Sequence, residues 1–451
     1  DETIEEDANK HIKRFKQTTL TVKEWQNIIN LVKKNNLIAI VTPFDEISVA
    51  KALDFGIDEF KIASCSSTEW TLIDKVIATG KPVTISTGGR NLSEIDRIYS
   101  YFAHRIPNNF TIMHCCGIYP ANHNDLNLSS ISKFISRYPL AKIGYSGHEP
   151  PSDHLTSSIA VTLGAMSLER HIGKPDPNNN IELNKYSINS GFISDWLGII
   201  KDTLISLGTS KKSDYRNPIE IDSLLTLQRG VFLDHDFDKG STIDYKKCKF
   251  KFPIQDNQIS ASEISSCDLI FTANTDLKKG QRLLENMVTR SNTKKSKLVN
   301  YVHKIRGILN ENGENIPNDS ELEISHHRGV KNIDQIGCCL VNIVNRSYCK
   351  KLIIMTEGQT HPTQFHNVKE ELFRILYGKV KLVRDGEVKI LNIGEEALVR
   401  SDVRHSFSAI SDCIIEEIST TSLSEDSFYL DDKINSLSRE ERKTYMKLHL
   451  D

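Results

Sequence analysis

The stretch Pro82-Val-Thr-Ile-Ser-Thr87 is a short run of mostly β-branched residues that ends in two hydroxyl side chains. Between runs of this kind lie segments such as Thr68 to Gly80, which has apolar residues at helical spacing and a closing glycine. Repeated strand–helix–strand units with apolar strands predict an α/β fold with a parallel sheet. The five further runs are Leu37–Pro43, Glu59–Ser64, Phe110–Cys115, Ala141–Ser146 and Met166–His171.

The ends of these runs are polar, and no glycine-rich phosphate loop follows an early strand. Polar strand ends gather on one face of a (β/α)₈ TIM barrel and form its site, so we predict a barrel rather than an open doubly wound sheet. Six strands do not close an eight-stranded barrel, and we expect its first two strands to be missing from these 451 residues. The polar residues are Thr42, Lys61, Ser64, Ser86, Thr87, His114, Ser146, His148, Glu169 and His171.

The rest of the chain predicts further modules after a barrel domain of residues 1–222. Residues 223–288 form a small β-rich module in which Leu233 to Gly240 and Ala273 to Gly280 echo one another, each ending in a glycine suited to positive φ. Residues 289–320 contain a linker helix with Leu298, Val302 and Ile305 on one face. Residues 321–451 alternate apolar and polar residues between turns, which predicts an antiparallel β-barrel, and the charged tail is expected to be helical near its end.

Composition excludes several classes of protein. The 57 Lys and Arg residues balance 59 Asp and Glu residues, so charge gives no reason to expect nucleic acid or an anionic membrane as a partner. No apolar run approaches the length that spans a bilayer. The segment that begins at Asp1 is acidic and does not have the pattern of an export signal. The nine cysteines lack metal or disulfide-framework spacing, so we expect reduced thiols in a soluble, cytoplasmic protein.

The strand ends supply candidates for chemistry. His148 and His171 end consecutive strands, and two imidazoles with water and substrate oxygens suit a divalent cation such as Mn²⁺ or Zn²⁺. Lys61 lies inside an apolar run and is expected to meet an anion, with a structural salt bridge as the alternative. Hydroxyl and backbone N–H groups from Ser86 to Gly89 are candidates for binding phosphate.

Five motifs, in their order and spacing, resemble the sialic acid synthase family. The resemblance covers roughly residues 12 to 290, since the Asp-x-Lys-Gly module is similar to the family's antifreeze-like (SAF) domain. It implies condensation of phosphoenolpyruvate with an N-acetylated hexosamine, typically N-acetylmannosamine, to give a nonulosonic acid for surface polysaccharide. The motifs are Lys61-Ile-Ala-Ser64, Gly80-Lys-Pro-Val-Thr-Ile-Ser-Thr-Gly88, His114-Cys-Cys-Gly-Ile-Tyr-Pro120, Gly144-Tyr-Ser-Gly-His148 and Leu168-Glu-Arg-His171.

The resemblance also implies roles for single residues. His148 and His171 are expected to bind Mn²⁺ or Mg²⁺, with Glu169 beside them, and Tyr119 is expected to face the amino sugar. Lys61 joins these two histidines and Glu169 as a catalytic residue. The partners are phosphoenolpyruvate, the amino-sugar acceptor and a second copy of the chain in a homodimer. Phosphoenolpyruvate is expected to be held by Thr42, Lys61, Ser86 and Ser146.

The chain departs from the family's pattern at four places. The two strands that are not seen would bring a catalytic Glu and a second phosphate-binding Lys. Gly117 stands where the family usually has Asn, and Gly147 stands where it has Asp. In the SAF-like module Phe252 replaces the Arg that reaches a partner subunit's sugar acetamide.

The last module resembles a cupin with a metal site. Gln364 and His366 alternate on one strand and so share a face, and adjacent strands bring Glu371 and His405 to complete a site for Mn²⁺, Fe²⁺ or Zn²⁺. His361 is an alternative ligand. Two alternatives to a catalytic barrel stay open: a scaffolding barrel with a sugar-binding or regulatory cupin, and a cupin that is a sugar isomerase.

Overall fold

A six-stranded parallel sheet organises the first part of the chain in the computed structural model. Every strand pairs with the next one in the sequence, which is the order of a barrel wall, whereas a doubly wound sheet reverses direction once. All six predicted strands are confirmed in type and order. The strands are β1 (Ile40–Val41), β2 (Glu59–Ile62), β3 (Val83–Ser86), β4 (Phe110–Cys115), β5 (Lys142–Gly147) and β6 (Ser167–Arg170).

Helices return the chain between the strands and cover the sheet. In the fourth, Asn91 and Glu94 form a capping box at the start, and Ile95, Ile98 and Phe102 are buried against the sheet. Five of the six residues of β4 are buried, as expected for a parallel strand that is covered on both faces. The helices are α1 (Val22–Lys34), α2 (Glu46–Asp54), α3 (Trp70–Ile77), α4 (Leu92–Arg105), α5 (Ser130–Arg137), α6 (Leu155–Thr162) and α7 (Ser190–Leu207).

The sheet is strongly curved. Lys61 of β2 forms an ion pair with Glu169 of β6, although four strand spacings separate β2 from β6. In a flat sheet these strands would lie about 19 Å apart, which is farther than the two side chains reach together. The six strands therefore form a half-barrel.

The structure describes residues 18–175, 183–208, 217–266, 269–292, 294–317, 320–420, 422–423 and 425–447. The chain divides into two compact units, residues 1–215 and 216–451. None of the helices in the described ranges is long and apolar enough to cross a membrane. The eight described cysteines are all free thiols.

The second unit begins with a small β module that contains the predicted internal repeat. Phe237 and Leu277, at equivalent positions of the two copies, exchange backbone hydrogen bonds of 2.9 and 2.8 Å. Each copy ends in a glycine with positive φ, 84° at Gly240 and 87° at Gly280, as predicted. The elements are α8 (Pro218–Thr226), β7 (Gly230–Leu233), β8 (Cys248–Lys251), α9 (Ala261–Ile264), β9 (Leu269–Ala273) and β10 (Val288–Asn292).

The two turns of the repeat also bind each other through their aspartates. Asp276 accepts a hydrogen bond of 2.8 Å from the backbone N–H of Lys239, and Asp236 accepts one of 2.7 Å from the backbone N–H of Lys279. Each carboxylate thus satisfies a backbone donor of the other copy.

Two antiparallel sheets form the last module. Their orders are β18-β15-β20-β13-β12-β11-β22 and β17-β16-β19-β14-β21. The elements are α10 (Lys294–Glu311), β11 (Glu321–Ser325), β12 (Cys338–Asn345), β13 (Tyr348–Met355), β14 (Thr360–Phe365), β15 (Glu371–Tyr377), β16 (Val380–Arg384), β17 (Glu387–Leu391), β18 (Glu396–Val399), β19 (His405–Ala409), β20 (Cys413–Thr420), β21 (Phe428–Tyr429), α11 (Asp432–Asn435), α12 (Arg439–Arg442) and β22 (Lys443–Lys447).

The end of the chain differs from the prediction of a helix. After the short α12, residues 443–447 form strand β22, which pairs with β11 at the edge of the larger sheet. Pairing with an available edge strand decides the conformation here, over the helical preference of the charged residues. Residues 448–451 lie outside the described residues.

The predicted linker helix, α10, packs into the core of the last module. Its apolar face, which includes Leu298, Val302 and Ile305, is buried in one cluster with Leu322 and Ile324 of β11. The helix is therefore part of this core.

We expect Ile305→Ala to lower the free energy of unfolding of the last module by about 3 kcal/mol, because Ile305 is fully buried and its truncation leaves a cavity. His303→Ala, on the exposed side of the same helix, is the control and is expected to have little effect. Hydrogen-exchange mass spectrometry on β11 and β12 measures both. Unchanged exchange in these strands for Ile305→Ala would contradict the packing role of α10.

Candidate functional site

One cleft, at the carboxyl ends of the half-barrel strands, is lined by the barrel residues predicted as catalytic, substrate-binding or metal-binding, whereas Thr87 is buried and is not part of its lining. Its volume is about 1060 Å³. The parallel strands all end at this edge, which is why residues far apart in the sequence meet there. The predicted residues that line the cleft are Thr42, Lys61, Ser86, Tyr119, Ser146, His148, Glu169 and His171.

An ion pair between Lys61 and Glu169 crosses the cleft floor. Ser146 donates a hydrogen bond of 2.8 Å to the same carboxylate oxygen, since Ser146 and Glu169 lie opposite each other in the β5–β6 register. Burial acts to raise the pKa of Glu169, but the charge of Lys61 and the bonds from Lys61 and Ser146 lower it overall. The structural salt bridge given as the alternative for Lys61 is thus present, and Lys61 also lines the cleft, while its contact with a substrate anion stays a prediction.

Four aromatic rings form the wall beside this ion pair. The centroids of His148 and His171 lie 5.1 Å apart, and Tyr119 lies 4.0 Å from His148. Tyr186 lies 5.0 Å from His171 and completes the group. Sequence reasoning missed Tyr186, because no motif or strand end marks it and only the folded chain brings it against Tyr119 and His171, two rings that line the cleft.

His148 is oriented by its backbone neighbour. Its Nδ1 lies 2.8 Å from the carbonyl oxygen of Cys116, so Nδ1 carries the proton and donates it, which leaves Nε2 with a lone pair. Burial lowers the pKa of His148 against the effect of this hydrogen bond. Burial also raises the pKa of Tyr119, to about 12, and keeps its hydroxyl protonated. A neutral imidazole with a free Nε2 is the form that binds a cation.

The hydroxyl of Ser86 is buried, and its Oγ has no hydrogen-bond partner among the described residues. A buried polar atom in that state is a natural contact for a ligand. The neighbouring donors are already used: Thr87 donates to the Met113 carbonyl at 3.0 Å, and the Gly88 N–H donates to Ser64 Oγ at 3.0 Å. Thr87 Oγ1 and the Gly88 N–H are therefore engaged within the chain, whereas the Ser86 hydroxyl lacks a partner among the described residues, and phosphate binding by this segment stays a prediction.

The space beside Gly147 is filled by Glu149. A Cβ on Gly147 would lie 2.5 Å from Oε2 of Glu149. The Glu149 carboxylate forms an ion pair with Arg170, both side chains being almost fully buried, and it accepts a hydrogen bond of 3.0 Å from the hydroxyl of Tyr145. Glu149 thus places a carboxylate beside position 147, where the family has an Asp and this chain has a glycine.

A second site lies in the last module, where His366, Glu371 and His405 form a buried cluster whose ligand atoms are all within 4.8 Å of one another. It is the only such group of three or more His, Cys, Asp or Glu in the described part of the chain. His366 Nε2 lies 3.4 Å and His405 Nε2 lies 3.1 Å from the Glu371 carboxylate. The three residues match the predicted ligands.

The backbone fixes which nitrogen of each imidazole faces Glu371. Nδ1 of His366 donates to the carbonyl of Asp426, and Nδ1 of His405 lies 3.0 Å from the carbonyl of Val403. Both Nε2 lone pairs then point at an anionic carboxylate, and His366 Nε2 and Glu371 Oε2 have no hydrogen-bond partner. A cation among these three ligands removes the repulsion, so the donor set fits a divalent metal.

Two more side chains complete the surroundings of the cluster. Gln364, which is predicted as a fourth ligand, lies beside the cluster, with its amide nitrogen 3.4 Å from His405 Nε2, and its role as a ligand stays a prediction. Lys369 lies 2.5 Å from both Glu371 and Glu417. Burial opposes its charge, but the two carboxylates raise the pKa of Lys369, so it remains charged.

His361 is buried and faces the interior, but it is not in the ligand cluster. It stacks on Phe407 at 4.7 Å. An irregularity in the β14–β19 register lies between His361 and Gln364, so residues three apart both point inward. Strict alternation would place them on opposite faces. His361, the predicted alternative ligand, therefore packs beside the cluster and is not one of its three members.

Comparison with known proteins gives matches over the half-barrel. The NeuB family model matches residues 1–212. The human N-acetylneuraminate-9-phosphate synthase is 34% identical over 149 residues, which are 33% of this chain and 41% of that protein. The N,N'-diacetyllegionaminic acid synthase of Campylobacter jejuni is 33% identical over 154 residues, 34% of this chain and 45% of that one. The chain thus covers less than half the length of either synthase.

One solved structure is similar to a larger part of the chain than the family model matches. A Chromobacterium violaceum protein provisionally named spore coat polysaccharide biosynthesis protein E is 34% identical, with a TM-score of 0.59. The match covers 63% of this chain and 83% of that one. This share is larger than residues 1–212, so the likeness continues beyond the half-barrel.

We expect Glu149→Gln to destabilise the first unit by about 3 to 5 kcal/mol, because it leaves the buried Arg170 charge without a partner. The control is Asp96→Asn, which removes the charge from the exposed ion pair with Arg137 and should cost far less. Tryptophan fluorescence during urea unfolding follows this unit, since all three tryptophans precede residue 216. Equal losses for the two variants would refute the importance of the buried pair.

Proposed function

Because the chain belongs to the NeuB family, we propose that it is a nonulosonic acid synthase. It condenses phosphoenolpyruvate with an N-acetylated hexosamine and releases phosphate, in the synthesis of a surface polysaccharide. The named relatives are synthases of such acids or serve polysaccharide biosynthesis. The observation that carries the proposal is the convergence of eight side chains, predicted for this chemistry, in one cleft.

Phosphoenolpyruvate is proposed to bind at the floor of the cleft. The Lys61 ammonium offsets phosphate charge, and the unpaired Ser86 hydroxyl donates a hydrogen bond to it. Thr42 and Ser146 add hydroxyl groups on either side. Glu169 holds Lys61 in position through their ion pair, so that the cation is in place before the substrate arrives.

The acceptor sugar is proposed to lie against the aromatic wall, where Tyr119 offers a ring face and a hydroxyl donor and is itself held by packing against Tyr186. The new bond joins C3 of phosphoenolpyruvate to the aldehyde carbon of the sugar, a water oxygen ends on C2, and phosphate leaves. Lewis-acid polarisation of the aldehyde oxygen is the chemistry that Mn²⁺ or Mg²⁺ at His148 and His171 supplies when bound. The Cys116 carbonyl keeps His148 in the tautomer that this requires.

We expect Lys61→Ala to lower the rate of phosphate release at least about 100-fold, because the developing charge loses its buried cation. Lys133→Ala, which changes an exposed lysine of α5, should leave the rate unchanged. The assay uses the full-length protein with phosphoenolpyruvate, Mn²⁺ and a panel of acetamido sugars. Failure of the full-length protein to release phosphate with any acceptor would refute the proposed reaction and favour a scaffolding barrel.

The β module of residues 223–288 is proposed to be the SAF-type domain of this enzyme, acting in a homodimer. The reciprocal pairing of its two repeat copies supports an evolved, compact module. Phe252, which stands in the place of the family's Arg, is 62% exposed. An exposed aromatic ring offers packing rather than a charged hydrogen bond, so this position is proposed to contact the acceptor's N-acetyl group through its methyl rather than its oxygen.

The module of residues 321–451 is proposed to be a metal-binding cupin that acts on a sugar, as a binding, regulatory or isomerising domain. The support is the buried His366, Glu371 and His405 cluster with its oriented imidazoles. Mn²⁺, Fe²⁺ and Zn²⁺ all suit two imidazoles and a carboxylate.

Metal analysis of the purified protein tests this second function. His366→Ala and His405→Ala should each remove about one equivalent of divalent metal, because the remaining ligands are too few to hold it. His235→Ala, an exposed histidine of the same unit, should leave the content unchanged. A wild-type protein without metal at this site, after purification without chelators and addition of Mn²⁺, would contradict the proposal.

A further inference from the structure

The cavity inside the last module carries more positive than negative side chains. Its volume is about 530 Å³, a size that holds a single sugar or a similar small molecule. Three carboxylates face it, Glu323, Glu371 and Glu417. Five cationic side chains face it, namely Lys351, Lys369, Arg439, Arg442 and Lys443.

Most of these charges are paired with one another. Lys369 bridges Glu371 and Glu417 at 2.5 Å each. Lys443 forms an ion pair with Glu323, and Arg439 lies 3.9 Å from that same carboxylate. All three carboxylates of the cavity therefore already have cationic partners within the module.

Arg442 is different. Its Nε is buried without a hydrogen-bond partner, and no carboxylate of the described residues forms an ion pair with it. The guanidinium carbon lies 5.5 Å from the ring centroid of Tyr429, which holds the group against an aromatic face. A guanidinium is always charged and presents a planar set of donors that matches a carboxylate or phosphate. A buried donor without an acceptor is costly, so Arg442 is prepared for an anion that the chain itself does not supply.

The same cavity reaches the metal cluster. Tyr429, on which Arg442 packs, lies opposite Gln364 in the β14–β21 register. Gln364 in turn lies 3.4 Å from His405, and His366 and Glu371 line the cavity together with Arg442. One molecule in this cavity can therefore meet the cluster at one end and the guanidinium at the other.

We propose that the cavity binds an anionic sugar, a sugar acid or a sugar phosphate, with its carboxylate or phosphate on Arg442 and its hydroxyl oxygens toward His366 and Glu371. This inference deepens the proposed role of residues 321–451 as a sugar-binding metal module and rests on it. It names the substrate class, because an anion both accepts hydrogen bonds from the guanidinium and balances its charge, whereas a neutral sugar does only the first.

Isothermal titration calorimetry of the full-length protein with gluconate, glucose 6-phosphate, glucose and inorganic phosphate tests the proposal. At least one of the two anionic sugars should bind about tenfold or more tightly than glucose, and which one does so identifies the anionic group. Arg442→Gln should remove about tenfold of that affinity, Arg442→Lys should restore part of it, and binding of glucose should not change. Arg374→Gln, an exposed arginine of the same module, is the control.

Three results would overturn the proposal: equal affinity for glucose and the anionic sugars, unchanged affinity in Arg442→Gln, or inorganic phosphate binding as tightly as glucose 6-phosphate, which would indicate an anion site without sugar recognition. Metal content and phosphate release are measured on the same samples. Arg442→Gln should keep its metal, which shows that the module is folded. Loss of metal in the wild type would count against the metal site alone, so the two proposals fail separately.

Discussion

The ion pair between Lys61 and Glu169 is the interaction on which the cleft depends. It joins the second strand of the sheet to the sixth, and it forms only because the sheet bends into a half-barrel. Both groups are largely withdrawn from solvent, so each needs the other. Ser146 adds a hydrogen bond to the same carboxylate from the neighbouring strand. The curvature of the sheet, the charge pairing and the placement of the Ser146 hydroxyl in the cleft are thus linked at one point.

Much of the half-barrel was accessible from the sequence, because a buried parallel strand is a recognisable apolar run and its polar end is a recognisable break. That pattern located Lys61, Ser86 and His148 correctly. It did not reveal that Lys61 would pair with Glu169, 108 residues later, since the pairing depends on sheet curvature. Tyr186 was missed for the same reason: its position is set by packing and not by a local pattern.

The last module shows where strand alternation succeeds and fails. Alternation placed Gln364 and His366 on one face, and both are buried beside the ligand cluster. His361 also faces the interior, which strict alternation from Gln364 would not give, because the irregular register of β14 changes the side-chain order between residues 361 and 364. The strand at residues 443–447 was also missed, since its conformation is induced by the edge of β11, a partner more than a hundred residues away. The local sequence determines the helix or strand propensity of a segment, whereas a register shift or an edge pairing is determined only when the whole sheet is assembled.

The paired turns of the small β module limit which substitutions that module can accept. Asp236 caps a backbone group of the second copy and Asp276 caps one of the first, while Phe237 and Leu277 share their backbone bonds. Neither half has a complete set of partners by itself. Neither turn can therefore be altered alone, because loss of either aspartate leaves a backbone N–H of the opposite turn without its acceptor.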